Sequence, residues 1–452
     1  MAAASPLATD SLRRSMNNSK KNDSPRAAAL TSLLAWEKKG RYANLEVNAL
    51  LSKSSMSEAD RGLYTALVYG VIERAVTLDY VMAKLSSRPI TEIDETTRCA
   101  LRLGFYQLAY MDRIPPHAAV SETVDLVPHK AKGFVNALLR NFQRSGCRIP
   151  LPPEDDPVQR LSVEYGAPPE LCRFWLDRYP GDITRALLAS TIRNPPVTVR
   201  VNPLKTTVEE MLSRLNGASV HPLAADMINV THAAHIADDI QEGLYFVQDA
   251  SSRLCIRALD PKPGETVIDT CAAPGGKTIS AALDMNNCGT LYAFDLHENK
   301  LSLIRKAAER MGISILTASA RDARSPDPAL IGKADRVLCD APCSGLGVIG
   351  KKPDIKYKPI SSIEGLPAVQ YDILCGAAQY VRPGGVLVYS TCTLNPDENE
   401  KIAARFLESH PDFAPVPFDL GDAGASADGM RTFYPHTDGC DGFFIAKMTR
   451  KK

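Results

Sequence analysis

Several features are missing from this sequence of 452 residues, and each absence excludes a class of protein. No apolar run approaches the roughly 20 residues that a helix needs to cross a bilayer. The first residues also lack the apolar core that marks a secretory signal. The eleven cysteines form no C-x-x-C pair, which argues against a structural zinc site. We therefore expect no membrane span and no bound metal, and a protein that works in the reducing cytoplasm.

The charge is small overall but unevenly distributed. The net charge is +1, yet residues 1–145 hold 20 Lys/Arg against 14 Asp/Glu, whereas the rest of the chain is acidic. The N-terminal part is therefore the better candidate for binding a polyanion. An excess of six charges over this length also fits an ordinary, mildly basic surface.

Composition and periodicity divide the chain into four parts. Residues 1–24 are polar and predict a disordered tail. Residues 25–145 show helical spacing of apolar residues and two capping sequences, Ser57-x-x-Asp60 and Thr91-x-x-Asp94, which predict a helical bundle. Residues 146–260 begin with a proline-rich boundary, continue with one helix over 169–193, and then alternate as strands do. They predict a small α+β connector.

Strands and helices alternate from residue 261 to residue 452. This alternation predicts an α/β domain with a doubly wound parallel sheet, the Rossmann-like arrangement. In such a sheet, ligands bind outside the carboxyl ends of the strands. The strand patterns, in chain order, are TVIDTCA, TLYAFDL, SILTAS, RVLCDAP, VLVYSTC and a late FFIAKM.

A glycine turn follows the first of these strands and indicates a nucleoside cofactor. A tight turn of this kind lets a ligand approach the backbone and the start of the next helix. Asp295, after the second strand, can accept both hydroxyls of a ribose, and Asp322, after the third, can reach an adenine amino group. The turn matches neither G-x-G-x-x-G nor the phosphate-binding P-loop, so S-adenosylmethionine fits better than a dinucleotide. The predicted loop residues are Cys271, Ala272, Ala273, Pro274, Gly275, Gly276 and Lys277.

Two cysteines follow neighbouring strands of the predicted sheet. Asp340 and Cys343 come after the fourth strand, and Cys392 follows the buried strand VLVYST, with Pro396 predicted to open the next helix. A single cysteine beside a strand is usually a small buried hydrophobe. Two at adjacent strand ends, facing a cofactor loop, are hard to explain by packing. A disulfide is an alternative, although a reducing compartment argues against it.

A basic segment follows the Asp340 motif and suggests contact with RNA. Aromatic and cationic residues interleave in this way where a protein follows a nucleic acid backbone. The alternative is a solvated loop. The candidate contacts are Lys351, Lys352, Lys356, Lys358 and, in the connector, Arg200.

Three motifs in the last domain resemble those of the RNA 5-methylcytosine methyltransferases of the Sun/RsmB type: DTCAAPGGKT, DAPCSGLGVIGKKPDIK and YSTCTLNPDENE. The segments LVYGVIERAVTLDYVM and GFVNALLRNF resemble the NusB domain, an all-helical RNA-binding module. The likeness covers residues 26–448. It departs from the family pattern at Thr393, where serine is usual, and at Ala320-Arg321, where glycine is usual. The resemblance implies methyl transfer to carbon 5 of a cytosine in RNA, with small-subunit ribosomal RNA as the expected substrate, by a monomer.

The resemblance also assigns roles to the strand-end residues. Cys392 is expected to be the nucleophile that adds to carbon 6 of the base, because such addition activates carbon 5. Cys343 would assist product release. Asp340 would hold or protonate the N3 edge of the base, and it is also predicted to contact the cofactor. Lys277 would favour the Cys392 thiolate. Two rival interpretations stay open: a non-catalytic RNA-binding assembly factor that keeps this fold, and a nucleotide-dependent oxidoreductase.

Overall fold

The structure is a computed structural model that describes residues 24–39, 43–193, 195–230 and 236–452. The predicted tail lies outside these ranges, apart from Ser24. The chain divides into two compact units, of which the first ends at Ile192 and includes residues 352–358, and the second contains the rest. Within the described ranges, no helix is long and apolar enough to cross a membrane.

The first unit is helical, and its long third helix forms the centre. Leu67, Val71 and Leu78 of this helix are buried, as are residues on its other sides, which is typical of a central helix in a bundle. The helices are α1 Pro25–Lys39, α2 Ala43–Leu51, α3 Glu58–Leu85, α4 Glu95–Tyr110, α5 Pro116–Asp125, α6 His129–Arg144, α7 Pro157–Tyr165, α8 Pro169–Leu176 and α9 Gly181–Ser190.

One of the two predicted helix starts is confirmed and the other is displaced. Ser57 caps α3, and its hydroxyl accepts the N–H of Asp60 at 3.2 Å. Helix α4, however, is capped by Asp94, whose carboxylate accepts the N–H of Thr97 at 3.0 Å. Thr91 instead lies in a short 3-10 turn. The predicted single helix over 169–193 is also wrong, because Pro180 separates α8 from α9.

Residues 352–358 pack inside the helical unit. The segment forms a 3-10 turn, Pro353–Tyr357, and the Tyr357 ring meets Trp36 edge to face with centroids 5.2 Å apart. The Tyr357 hydroxyl donates to the carbonyl of Ile72 at 2.7 Å, and the Lys356 ammonium donates to the carbonyl of Glu73 at 2.9 Å. A stretch that reads as a basic loop is therefore part of the core of this unit.

The second unit begins with a small antiparallel sheet in the order β2-β3-β1-β4. One face of this sheet buries Val199, Ile228 and Tyr245 against Met211 and Leu215, the latter at the end of α10. Its elements are β1 Val197–Val201, α10 Val208–Arg214, β2 Ser219–His221, β3 Ala224–Val230, α11 Ile236–Glu242 and β4 Tyr245–Val247. This is the α+β connector that the alternation predicted.

The main sheet has the order β10-β14-β9-β8-β5-β6-β7, with β13 paired to β14. Strands β5 to β9 run parallel, whereas β14 runs antiparallel to β9, so the sheet is mixed rather than wholly parallel. Its strands are β5 Thr266–Asp269, β6 Thr290–Asp295, β7 Leu316–Ala320, β8 Ala334–Asp340, β9 Val381–Thr391, β10 Phe413–Pro415, β13 Met430–Phe433 and β14 Phe443–Arg450. A separate pair joins β11 Phe418–Asp419 to β12 Ala425–Ser426. The helices are α12 Ala250–Leu259, α13 Gly276–Asp284, α14 Glu298–Met311, α15 Leu366–Ala378 and α16 Glu400–Ser409.

Strand β9 is central to the sheet and ends just before Cys392. Leu387, Val388 and Tyr389 are fully buried on both faces, as expected for an interior parallel strand. The glycines before them form an irregularity within the strand rather than a turn ahead of it, and Gly384 has φ of +76° there. The predicted helix start at Pro396 is wrong, because α16 begins at Glu400.

Candidate active site

The glycine loop after β5 and the carboxylate after β6 lie together, as the sequence predicted. Gly275 has φ of +108°, which side-chain-bearing residues rarely adopt, and it leads directly into α13. Asp295 accepts the N–H of Ala273 at 3.2 Å and the N–H of His297 at 3.0 Å. The carboxylate is thereby fixed at the loop. Its remaining lone pairs are suited to the hydroxyls of a ribose.

The loop after β7, which carries Asp322, lies beside Asp295, but the Asp322 side chain is engaged elsewhere. The N–H of Arg321 donates to the carbonyl of Asp295 at 2.9 Å, which brings the loop after β7 beside the end of β6. The Asp322 carboxylate accepts three hydrogen bonds from the Arg324 guanidinium, the shortest at 2.6 Å. These bonds lower the pKa of Asp322. Its predicted contact with adenine remains a prediction.

Gln248 is a residue at the cofactor loop that sequence reasoning did not single out. Its side-chain N–H donates to the carbonyl of Gly276 at 3.1 Å, which fixes the orientation of the amide. The amide oxygen, Oε1, is then buried and has no hydrogen-bond partner among the residues that the structure describes. A buried acceptor of this kind at the loop fits a ligand that carries an N–H or O–H donor. Together with Asp295, it gives the loop two sets of acceptor oxygens, which suit the N–H and O–H donors of an amino acid joined to a ribose.

Lys277 and Asp340 form an ion pair that links α13 to the end of β8. The ammonium lies 2.8 Å from the carboxylate and 4.9 Å from the centre of the Phe443 ring. Asp340 also accepts the hydroxyl of Ser390 at 2.8 Å. Burial works against the Lys277 charge, but the ion pair with Asp340 and the charges of Cys255 and Cys392 together outweigh it, and the pKa of Lys277 is raised. The ammonium therefore stays charged beside the cysteines at neutral pH.

Behind this pair lies Asp269, the last residue of β5. It is buried, accepts the hydroxyl of Thr278 at 2.7 Å, and also accepts the N–H of Cys271. Burial raises the pKa of Asp269 to about 7. The TVIDTCA pattern contains this carboxylate, but nothing in that pattern indicated its burial.

The two predicted cysteines meet at the ends of β8 and β9. Their Sγ atoms lie 3.3 Å apart, within hydrogen-bond distance. The hydrogen bond with Cys392 is the largest cause that raises the pKa of Cys343, followed by burial and by the charges of Cys392, Glu398 and Asp340. The Lys277 ammonium interacts favourably with the charge of a Cys392 thiolate. One thiol of the pair is thus held protonated, while the other faces a cation.

The structure contradicts three of the five predicted RNA contacts. Arg200 is 2% exposed and is paired with Asp284 at 2.5 Å. Lys351 is held between Asp249 and Asp441. Lys356, also 2% exposed, donates to backbone carbonyls inside the helical unit. All three cations are engaged by groups of the fold, and Arg200 and Lys356 are too buried to reach a phosphate. Lys352 is exposed and Lys358 is half-buried, and both remain candidates.

Within the described ranges, no group of three or more His, Cys, Asp or Glu residues could hold a metal ion. The site is composed instead of a glycine loop, carboxylates, one ammonium and two thiols at the carboxyl ends of parallel strands. This arrangement defines the class of protein: a Rossmann-type methyltransferase that carries additional domains ahead of its catalytic sheet.

Comparison with known proteins identifies the family. The description "16S rRNA methyltransferase RsmB/F" matches residues 256–449, "NusB family" matches 23–144, and a ferredoxin-like domain of RsmF/B-like methyltransferases matches 168–236. The chain is 37% identical to the probable ribosomal RNA small subunit methyltransferase B of Bacillus subtilis over 95% of its length and 100% of that protein. The chain therefore belongs to the RsmB/F family of ribosomal RNA small subunit methyltransferases, which confirms the resemblance found in the sequence.

Two further relatives support this assignment. The probable ribosomal RNA small subunit methyltransferase B of Synechocystis is 35% identical over 94% of this chain and 99% of that protein. Among solved structures, the crystal structure of PH0851 has a TM-score of 0.76 and 29% identity, covering 95% of this chain and 99% of that one. The order of a NusB domain, a ferredoxin-like connector and a methyltransferase domain agrees with the predicted multidomain fold.

Proposed function

We propose that this protein transfers a methyl group from S-adenosylmethionine to carbon 5 of a cytosine in small-subunit ribosomal RNA, through a covalent bond between Cys392 and carbon 6. The family membership supports methylation of ribosomal RNA. The covalent chemistry rests on one observation: the Sγ atoms of Cys343 and Cys392 are 3.3 Å apart, beside the Lys277–Asp340 pair. Two thiols at this distance can act on the same base in successive steps.

The residues at the glycine loop fit the proposed cofactor. Asp295 would bind the ribose hydroxyls, Asp322 would reach the adenine, and Gln248 would accept a hydrogen bond from the amino acid portion. The loop backbone and the start of α13 would approach the rest of the molecule. When bound, S-adenosylmethionine supplies an electrophilic methyl group on a positively charged sulfur.

Cys392 makes carbon 5 of cytosine reactive. Its thiolate donates an electron pair to carbon 6, a carbon–sulfur bond forms, and the displaced ring electrons make carbon 5 nucleophilic. Lys277 favours the thiolate form by its nearby charge. Asp340 holds the N3 edge of the ring by sharing or donating a proton to N3, where the displaced electron density accumulates. A base stacked in a helix cannot reach these groups, so the cytosine must be unstacked or flipped out.

Cys343 then becomes the group that releases the product. The hydrogen bond with Cys392 and the charge of that residue raise the pKa of Cys343, and both disappear once Cys392 has bonded to carbon 6. Once carbon 5 has taken up the methyl group, Cys343 can lose its proton to solvent, and its thiolate accepts the proton of carbon 5. The electrons of that C–H bond restore the ring double bond, and the bond from carbon 6 to Cys392 breaks.

The experiment that tests this function is nucleoside analysis of ribosomal RNA. Unmodified small-subunit RNA is incubated with the protein and S-adenosylmethionine carrying a labelled methyl group, and the digested nucleosides are identified by mass spectrometry. We expect labelled 5-methylcytidine with wild type and none with Cys392→Ala. Cys288→Ala, which removes an exposed cysteine, serves as the matched control. Label in any other nucleoside would contradict the proposed specificity. RNA binding without label would favour the non-catalytic assembly factor.

A further inference from the structure

A fully buried glutamate lies behind the two cysteines. Glu398 follows β9 and is 0% exposed. Its carboxylate accepts four hydrogen bonds, and each comes from a group that is itself buried. The donors are the Ser344 N–H at 2.9 Å, the Ser344 hydroxyl at 2.6 Å, the Gln370 amide at 2.8 Å and the Asn395 amide at 3.0 Å.

These bonds join the two loops that carry the cysteines. Ser344 follows Cys343 directly, and its hydroxyl is also bonded to that of Thr393, the neighbour of Cys392, at 2.6 Å. Gln370 donates additionally to the carbonyl of Pro342, on the other side of Cys343, at 3.0 Å. Both neighbours of Cys343 are therefore held by groups that bond to Glu398.

The backbone of Glu398 is fixed as firmly as its side chain. Its carbonyl accepts the hydroxyl of Tyr389, a buried residue of β9, at 2.6 Å. The turn that carries Glu398 is thereby anchored to the strand that ends just before Cys392. A side chain that is anchored to one strand end and bonded to the loop of the other controls the separation of the two loops.

We propose that Glu398 is the positioning residue that holds Cys343 and Cys392 at the separation needed for the two thiols to act on one base. The proposal rests on the function proposed above, since it assigns the pair a shared substrate. A carboxylate is required because all four partners are donors. Its negative charge also faces Cys343, where it contributes to the raised pKa of that thiol.

Substitution by glutamine keeps the length but cannot keep all four bonds. If the new N–H₂ group faces Ser344 N–H and Gln370, two donors oppose each other, and the backbone N–H cannot rotate away. If the N–H₂ group faces the Ser344 hydroxyl and the Asn395 amide instead, Asn395 must turn its amide. Its oxygen then loses the bond that it accepts from the Asp397 N–H at 3.2 Å. Either orientation loosens a cysteine loop. Substitution by aspartate keeps the charge but shortens the reach, so it also loosens the network.

The test compares Glu398→Gln, Glu398→Asp and, as a charge-matched control on the exposed face of α16, Glu408→Gln. We expect kcat for RNA methylation to fall by about 10- to 100-fold in both Glu398 variants, as misplacement of reacting groups by about 1 Å does. The KM for RNA and the Kd for S-adenosylmethionine should stay within about twofold, because the cofactor loop is untouched. Glu408→Gln should match wild type.

A second readout separates positioning from general loss of structure. In the Cys392→Ala background, the pH dependence of Cys343 alkylation should move to lower pH with Glu398→Gln but stay in place with Glu398→Asp. If Glu398→Gln does not fold, Ser344→Ala removes one bond of the network and should lower kcat with the cofactor Kd unchanged. An unchanged kcat in Glu398→Gln would overturn the proposal. If wild type methylates no RNA, the proposed function fails, while the alkylation profiles still report on Glu398.

Discussion

The two halves of the carboxyl edge of the sheet are built in different ways. At β5 and β6, backbone N–H groups fix the functional carboxylate, because Asp295 accepts from Ala273 and His297. At β8 and β9, a buried network of side chains centred on Glu398 holds the cysteine loops. The proposed cofactor edge thus depends on glycine geometry and strand position, and the proposed catalytic edge depends on residues that are far apart in the chain.

This difference implies different sensitivity to substitution. A backbone-built site loses one contact when one side chain changes. A site held by a buried polar network loses several, because each unpaired donor carries its own desolvation cost. Lys277 belongs to both halves, since it lies on α13, directly after the glycine loop, and pairs with Asp340 at the end of β8.

The largest effect on stability is expected from Lys277→Met, which breaks the link between the two halves. The change leaves the Asp340 carboxylate without its ammonium, and loss of one partner of a buried pair costs about 3–5 kcal/mol. The measurement is the urea midpoint of the second unit's transition. The double variant Lys277→Met, Asp340→Asn is the control and should recover much of the loss. A single variant as stable as the double one would show that the pair is not buried as described.

A smaller effect, confined to the cofactor half, is expected from Asp295→Asn. The amide cannot accept from two backbone N–H groups and two ribose hydroxyls, and loss of a charged hydrogen bond costs about 1.5–3 kcal/mol. Calorimetry should show S-adenosylmethionine binding weakened by roughly 10- to 100-fold. Asp412→Asn, which changes an exposed carboxylate outside this site, is the control. Unchanged affinity would remove Asp295 from the cofactor site.

The pH dependence of stability gives a test of Asp269. Burial raises its pKa to about 7, so the folded protein keeps a proton there that the unfolded chain has lost above about pH 4. This group therefore stabilises the fold at low pH, and its contribution is lost as the pH rises to 7. The slope is at most about 1.4 kcal/mol per pH unit. Asp269→Asn should flatten the unfolding free energy between pH 4 and pH 7 relative to wild type, and an identical slope would contradict the assignment.

The smallest effect concerns the two lysines that remain candidate RNA contacts. If Lys352 and Lys358 touch phosphates, the double change to alanine should reduce the slope of log affinity against log salt by about 0.7 for each contact with single-stranded RNA. The exposed pair Lys262 and Lys333, changed to alanine, is the charge-matched control. Equal slopes in both double variants would leave RNA contact here without support.

Short motifs predicted that the glycine loop and Asp295 lie together, because the geometry of this part of the sheet is local. The glycine turn, the strand ends and Asp295 each follow from a few consecutive residues, and the order of helical bundle, connector and α/β domain follows from periodicity. The relative direction of the strands was harder to predict. The pattern FFIAKM shows that β14 is a strand but not that it runs antiparallel to β9.

The residues that support the catalytic half could not be found in this way. Glu398 lies within the quoted motif YSTCTLNPDENE, but its partner Gln370 comes from a helix with no chemical motif. The predicted RNA contacts of two of the lysines were wrong for the same reason. The sequence shows a cation but not its partner, and Lys351 and Lys356 have partners that only the fold supplies.

The central claim is that Cys392 forms a covalent bond with the base and Cys343 resolves it. The direct measurement incubates Cys343→Ala with ribosomal RNA and S-adenosylmethionine and runs the product on a denaturing protein gel. The account predicts an RNA-dependent band of reduced mobility that survives denaturation and disappears when Cys392→Ala is added. Absence of that band, with wild type active on the same RNA, would contradict the roles given to the two cysteines.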